Sequence, residues 1–150
     1  MAKIQIIVGS VNGTALKTAT AVAHVLKHQR HEVRLNLDPN GPDLEQDDQE
    51  ALLVCCSTTG EGELPQNIYP LYLALDDQRV AIQDRPYGVI ALGDSGYQYF
   101  ARAGFMLENV LYMSGAKRIG EVCTLDAKKD TNQPLVAAQW ANDWVTMLPG

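Results

Sequence analysis

Three short segments hold the residues whose types and spacing suit chemistry. Residues 8–19 read VGSVNGTALKTA: Ser10, Asn12, Gly13 and Thr14 interrupt an apolar run and lead directly into a helical pattern. A strand-to-helix turn of this kind leaves backbone N–H groups free, and the helix dipole favours an anion beside them. A phosphate suits such a loop, although the same residues also make an ordinary turn and N-cap with nothing bound. Neither the Lys of a P-loop nor the three-glycine pattern of a dinucleotide fold is present, so amides and hydroxyls would hold the anion. Residues 57–67, STTGEGELPQN, combine hydroxyls, Gly60, Gly62 and two carboxylates. Residues 93–100, GDSGYQYF, join a Gly-Asp-Ser-Gly turn to three aromatic rings. Tyr97 suits stacking on a flat heterocycle, and the glycines let backbone groups approach its polar edge. The chemistry suggested is a planar ring carrying a phosphate.

The elements that must bring these segments together are legible from periodicity. Strand-like runs at 3–8, 32–37, 51–57, 86–92 and 117–125 alternate with helical patterns at 14–29, 66–77, 101–114 and 134–148. That alternation predicts an α/β domain over residues 1–150 with right-handed crossovers and a parallel sheet. IQIIV, ALLVCC and YGVIAL are near-continuous apolar runs, as central strands covered on both faces require. EVRLNL alternates and RIGEVCTL is mixed, which places them at the edges. The predicted order is therefore 2-1-3-4-5 in a three-layer, five-stranded sandwich, with its ligand site at the carboxyl ends beside the switch point. All three segments follow the central strands, so they should converge. Residues 39–50, PNGPDLEQDDQE, are too short and polar to predict a helix.

The formal charge is −6, which argues against nucleic acid as a partner. No Lys or Arg stands between Arg34 and Arg79, a span holding ten acidic residues that include Glu61 and Glu63. Such a span is ordinarily a solvated surface; the functional alternative is a docking face for a basic protein. No leader-like or membrane-spanning run occurs, so a soluble cytoplasmic protein without membrane partners is expected. Cys55, Cys56 and Cys123 suit neither a disulfide framework nor a zinc site and read as core residues. His24 and His28 have the spacing of helical metal ligands but fall on a polar face, so no metal site is assigned. Trp140 and Trp144 should pack on the sheet, and Asp94 should shape its turn. A phosphate-receiving signalling domain of the same topology would need acidic residues after strand 1, an Asp ending strand 3 and a Lys ending strand 5; VGS, CST and LDA stand there.

With three ordered motifs, the chain resembles the flavodoxins. GSVNGTA is similar to that family's phosphate loop, Ser-x-Thr-Gly-x-Thr, and GDSGYQYF to its Gly-Asp-Ser-Ser-Tyr-x-Tyr-Phe. STTGEGELPQN resembles the intervening flavin loop, particularly the form found in diflavin reductases. The last strand has no room for an extra segment of about twenty residues, as in short-chain members such as the bacterial YqcA and MioC group. The resemblance implies a flavodoxin-like fold, an FMN cofactor and one-electron transfer between proteins. It assigns Ser10, Asn12, Gly13 and Thr14 to the FMN phosphate, with Val11 and Ala15 giving backbone amides. Thr58, Thr59 and Gly60 would line one face and edge of the ring. Gly93, Asp94, Tyr97 and Phe100 would line the other side, with Tyr97 stacking, and Gly60 resembles the family's hinge. Asn12 replaces the usual Thr, and Thr59 stands where many members place Trp or Tyr. Implied partners are basic redox proteins such as a flavodoxin reductase, met by a monomer. The competing reading is an FMN-dependent NAD(P)H or quinone oxidoreductase, which would need a substrate pocket over the ring.

Overall fold

The computed structural model describes residues 1–150 except Asn12, Gly60, Glu61, Tyr97, Gln98, Thr131 and Gly150. The expectations placed on Asn12, Gly60, Glu61 and Tyr97 therefore lie outside the described residues. In chain order the elements are β1 (Lys3–Gly9), α1 (Thr14–His28), β2 (Glu32–Asn36), α2 (Gly41–Glu45) and β3 (Glu50–Cys56). A 3₁₀ turn at Gln66–Ile68 then leads into α3 (Tyr69–Asp76), followed by β4 (Pro86–Gly93) and α4 (Arg102–Met113). The chain closes with β5 (Lys117–Arg118), β6 (Cys123–Asp126) and α5 (Gln133–Thr146). All strand pairs are parallel, in the order β2-β1-β3-β4-β5, with β6 also paired to β4. This is the expected sheet order. Among the described residues no helix is long and apolar enough to cross a membrane.

Alternation along the buried strands supplies two cores. Leu53, Cys55, Ile4, Ile6 and Ile90 meet α1 and α5 on one face. Leu52, Val54, Cys56, Val89 and Ala91 meet α3 and α4 on the other. With helices on both faces, every residue of β3 is buried, which is why residues 51–56 form a continuous apolar run after Glu50. Trp144 is fully buried on the first face and Trp140 stacks against it at 5.9 Å. Burial in these cores pushes the Cys56 and Cys123 thiols up to about 12, and Cys55 upward as well. They are packing residues with no thiolate available for chemistry.

Two segments depart from expectation. Residues 41–45 do form a short helix, because Asn40 and Asp43 build a reciprocal capping box. A polar network then pins α2 beneath the sheet. Asn36 Nδ2 donates to Asp43 Oδ2 at 2.9 Å, Gln5 Nε2 to the Asp43 carbonyl at 3.3 Å, and Arg85 to the Leu44 carbonyl at 2.6 Å. Arg34 grips the Glu50 carboxylate through Nε at 2.7 Å and a terminal nitrogen at 3.0 Å. The expected fifth strand at 117–125 is broken into β5 and β6. Tyr87 pairs with Arg118 and Ile90 with Cys123, so three steps along β4 match five along the edge. The extra residues loop out at Gly120, whose φ is +73°. An edge strand tolerates such a bulge because only one side of it must pair.

The same geometry divides the acidic span. Glu45, Asp47, Asp48 and Glu50 enter β3 at its amino end, and Asp76 and Asp77 close α3, which runs back toward that end. Asp43 and Glu50 are committed to the network, Asp47 pairs with Lys3 and Asp77 with Arg79. Sequence clustering is not surface clustering here. Of the described acidic residues in the span, exposed Asp38 and Glu63 remain at the carboxyl end of the sheet.

Candidate functional site

The three central strands end level with one another. Gly9 faces Cys56 and Cys56 faces Ala91 across the sheet, and the Ser57 N–H donates to the Gly9 carbonyl at 2.9 Å. The loops after them open on the same end of the sheet. Val11, Thr14, Ser57, Thr58, Thr59, Leu92, Gly93, Asp94, Ala127 and Gln133 line one cleft of about 330 Å³. A second hollow of about 630 Å³ adjoins it through Val11 and Thr59 and includes Ser10, Glu63 and Asn67.

The first loop is built to leave donors free. Gly13 is the N-cap of α1 with φ +81°, a left-handed conformation that glycine adopts without penalty. Having no side chain, it offers α1 no cap. Its N–H donates to Ser10 Oγ at 3.0 Å, and its carbonyl accepts the Lys17 N–H at 2.9 Å as the first helical bond. The Ser10 hydroxyl accepts in this way and keeps its own hydrogen to donate outward. Thr14 is exposed and Ala15 is buried beneath it. The first turn of α1 has no acidic residue, and Lys27 and His28 stand in its last turn. Both choices follow the helix dipole and leave the cleft end receptive to an anion.

Asn67, absent from the expected site, holds this loop in place. Its Nδ2 donates to the Val8 carbonyl at 2.6 Å and the Leu37 carbonyl at 2.9 Å, while its Oδ1 accepts the Ser10 N–H at 3.1 Å. One side chain thus ties the end of β1, the turn after β2 and the first loop to the start of α3. Asn67→Ala leaves those three backbone groups unpartnered and should cost about 2 kcal/mol. Asn67→Asp keeps the acceptor but sets a carboxylate oxygen against the Val8 and Leu37 carbonyls, and should cost at least as much. Urea denaturation reads both, and an unchanged midpoint for Asn67→Ala would remove the clamp from this account.

The second and third loops brace each other. Thr59 closes its own turn: its Oγ1 accepts the Glu63 N–H at 2.9 Å and its carbonyl accepts the Gly62 N–H at 2.9 Å. Thr58 Oγ1 accepts the Ala103 N–H at 3.2 Å, joining the end of β3 to the first turn of α4. Any side chain at Gly62 would collide with Tyr99, whose ring carries the Arg102 guanidinium 5.1 Å from its centroid. Asp94 Oδ1 accepts the Gly96 N–H at 2.8 Å, the turn-shaping role expected of it. Phe100 packs inward against the core under α3 and α4.

Asp126, a second residue missed in the sequence, orders the third loop from outside. Its Oδ1 accepts the Ser95 N–H at 3.0 Å and the Lys128 N–H at 2.9 Å. Desolvation pushes its carboxyl up, but these hydrogen bonds outweigh that and hold it below the ordinary value. The signal was a lone acid ending the apolar run CTLD at the site end of the sheet.

Six expected residues thus share the cleft: Val11, Thr14, Thr58, Thr59, Gly93 and Asp94. Ser10 lies beside it and Gly13 turns the chain into it. Ala15 and Phe100 support it from within. The donor set fits a phosphate at the start of α1, and the floor between the other two loops fits a ring joined to that phosphate.

Comparison with known proteins agrees with this geometry. The family model described as Flavodoxin matches residues 6–140. Flavodoxin YqcA of Pectobacterium carotovorum subsp. carotovorum is 37% identical over 148 residues, covering 99% of this chain and 98% of the relative. Protein MioC of Escherichia coli K12 is 32% identical over 140 residues, covering 92% and 95%. The solved structure of a cysteine-to-serine mutant of flavodoxin from Pseudomonas aeruginosa superposes with a TM-score of 0.91 at 34% identity, covering 99% of both chains. With its sheet order, its three converging loops and these relatives of matching length, the chain belongs to the flavodoxin family of FMN-binding electron carriers, in its short-chain YqcA and MioC branch.

Proposed function

We propose that the protein works as a one-domain, monomeric cytoplasmic carrier, passing single electrons from a reductase to acceptor proteins through bound FMN. The observation that carries this reading is the convergence of the loops after β1, β3 and β4 on one cleft at the first turn of α1. FMN, when bound, supplies the redox chemistry. Ser10, Asn12 and Thr14 with the amides of Val11 and Ala15 hold its phosphate, on the turn that Gly13 makes. Thr58, Thr59 and Gly60 border one side of the ring, and Gly93, Asp94 and Tyr97 the other, with Phe100 packed behind them. Each loop is held by hydrogen bonds to another element, so the protein shapes the site before the cofactor arrives. Glu63, with Glu61 beside it in sequence, would steer a basic partner toward the open edge.

Stopped-flow reduction tests this reading. The FMN-loaded protein should be reduced slowly by NAD(P)H alone and rapidly when a basic NADPH-dependent flavodoxin reductase is added. The rate with reductase should fall as salt rises and fall further for Glu63→Gln. Steady turnover of NAD(P)H with a quinone, without any reductase, would instead make the protein an oxidoreductase. A rate indifferent to salt would remove the electrostatic docking.

A further inference from the structure

We infer that Gln133 is a further cofactor-binding residue whose carboxamide hydrogen-bonds the polyol chain joining ring to phosphate, an inference that rests on the FMN-carrier reading above. Gln133 lies outside all three motif loops, at the first position of α5. It is not needed to cap that helix, because Asn132 does so by accepting the Leu135 N–H at 3.2 Å. It continues the buried face of the helix, formed otherwise by Ala137, Ala138, Ala141, Trp144 and Val145, out to the first turn. A glutamine is the sole polar side chain buried along α5, at the end nearest the cleft.

Gln133 is only 9% exposed, and among the described residues its side chain makes no hydrogen bond. Its carboxamide carries two donors and an acceptor. What the side chain does face is the cleft, where it stands with Thr14, Thr58, Asp94 and Ala127. A ligand lying in the cleft would meet that carboxamide.

The chemistry of the carboxamide selects the part of the ligand. Thr14 marks the anion end of the cleft, and Thr58 and Asp94 stand on the two loops that border the ring. The linker has to cross the floor between them, and Ala127 and Gln133 close that floor from the β6–α5 side. A hydroxyl both donates and accepts, which matches a neutral carboxamide better than an acceptor-only phosphate does.

Three ligands separate the possibilities: FMN, riboflavin, which keeps the polyol without phosphate, and lumiflavin, which has neither. In fluorescence titrations Gln133→Leu should weaken FMN and riboflavin by the same factor, about fivefold to tenfold, and leave lumiflavin unchanged. Gln133→Asn, which keeps the amide but shortens its reach, should give the same pattern and serves if the leucine variant does not fold. A loss for FMN alone would place Gln133 on the phosphate and overturn the assignment. An equal loss for all three ligands, or for none, would overturn it too. Failure of the wild-type protein to bind FMN would instead strike the carrier reading itself.

Discussion

Apoprotein titrated with flavins should bind FMN about 100-fold or more tightly than riboflavin, because hydrogen bonds to a charged group contribute about 1.5 to 3 kcal/mol each. The first loop offers several such donors at once. Gly13 begins α1 without a capping side chain, Ser10 keeps a hydroxyl hydrogen free, and Thr14 is exposed at the first helical position. None of these donors is useful to riboflavin, whose terminal hydroxyl carries no charge for them or for the helix dipole to meet. With no Lys or Arg in residues 8–16, the preference should survive moderate salt better than a lysine-bound phosphate would. FAD should bind poorly, since nothing in the loop provides for an adenine. Riboflavin binding as tightly as FMN would sink the phosphate assignment, whatever the ring contacts prove to be.

Gly104→Ala should destabilise the protein by about 3 kcal/mol and loosen the cofactor with it. Gly104 lies on the buried face of α4, directly over Ala91 of β4. A Cβ there would stand 2.8 Å from the Ala91 Cα and closer still to its Cβ. Neither is the end of a flexible side chain, so the helix itself must lift from the sheet. Lifting it pulls the Ala103 N–H away from Thr58 Oγ1, 3.2 Å off in the native fold, and displaces the chain that closes the third loop. The variant should therefore show both a lower urea midpoint and weaker FMN binding. Ala91→Gly in the same molecule removes the nearer of the two atoms in the way, leaving the Cα at 2.8 Å, and should restore part of both, less the cost of a strand glycine, about 0.5 to 1 kcal/mol. If the double variant recovers nothing, close helix–sheet contact is not what Gly104 provides.

Much of this site is visible before the chain folds, and the reason is periodicity. Apolar runs whose lengths and alternation separate central strands from edge strands specify the order of the sheet, and that order obliges the loops after β1, β3 and β4 to meet. Ser10, Gly13, Thr14, Thr58, Gly93 and Asp94 could therefore be assigned from local pattern and resemblance alone. What escaped the sequence depends on partners far apart in it. Asn67 reaches residues 8, 10 and 37, and Asp126 reaches Ser95. A single Asn or Asp in a polar loop gives no sign of which distant carbonyl or amide it will meet.

The acidic span shows the same division from the other side. Composition counts its carboxylates together, yet the crossover from β2 to β3 carries several of them to the amino end of the sheet, and the network around Gln5, Arg34 and Arg85 uses two. Charge along a chain is set by composition, whereas charge on a face is set by the direction in which each strand runs. The break in the last strand is of this kind as well, since a mixed apolar run satisfies either one continuous edge or two shorter pieces. For this protein, local pattern by itself determined the layers, the strand order and the loops that meet a cofactor. Only the tertiary structure decided which residues hold those loops still and where Gln133 points, because hydrogen-bond partners and burial come into being when distant segments are brought together.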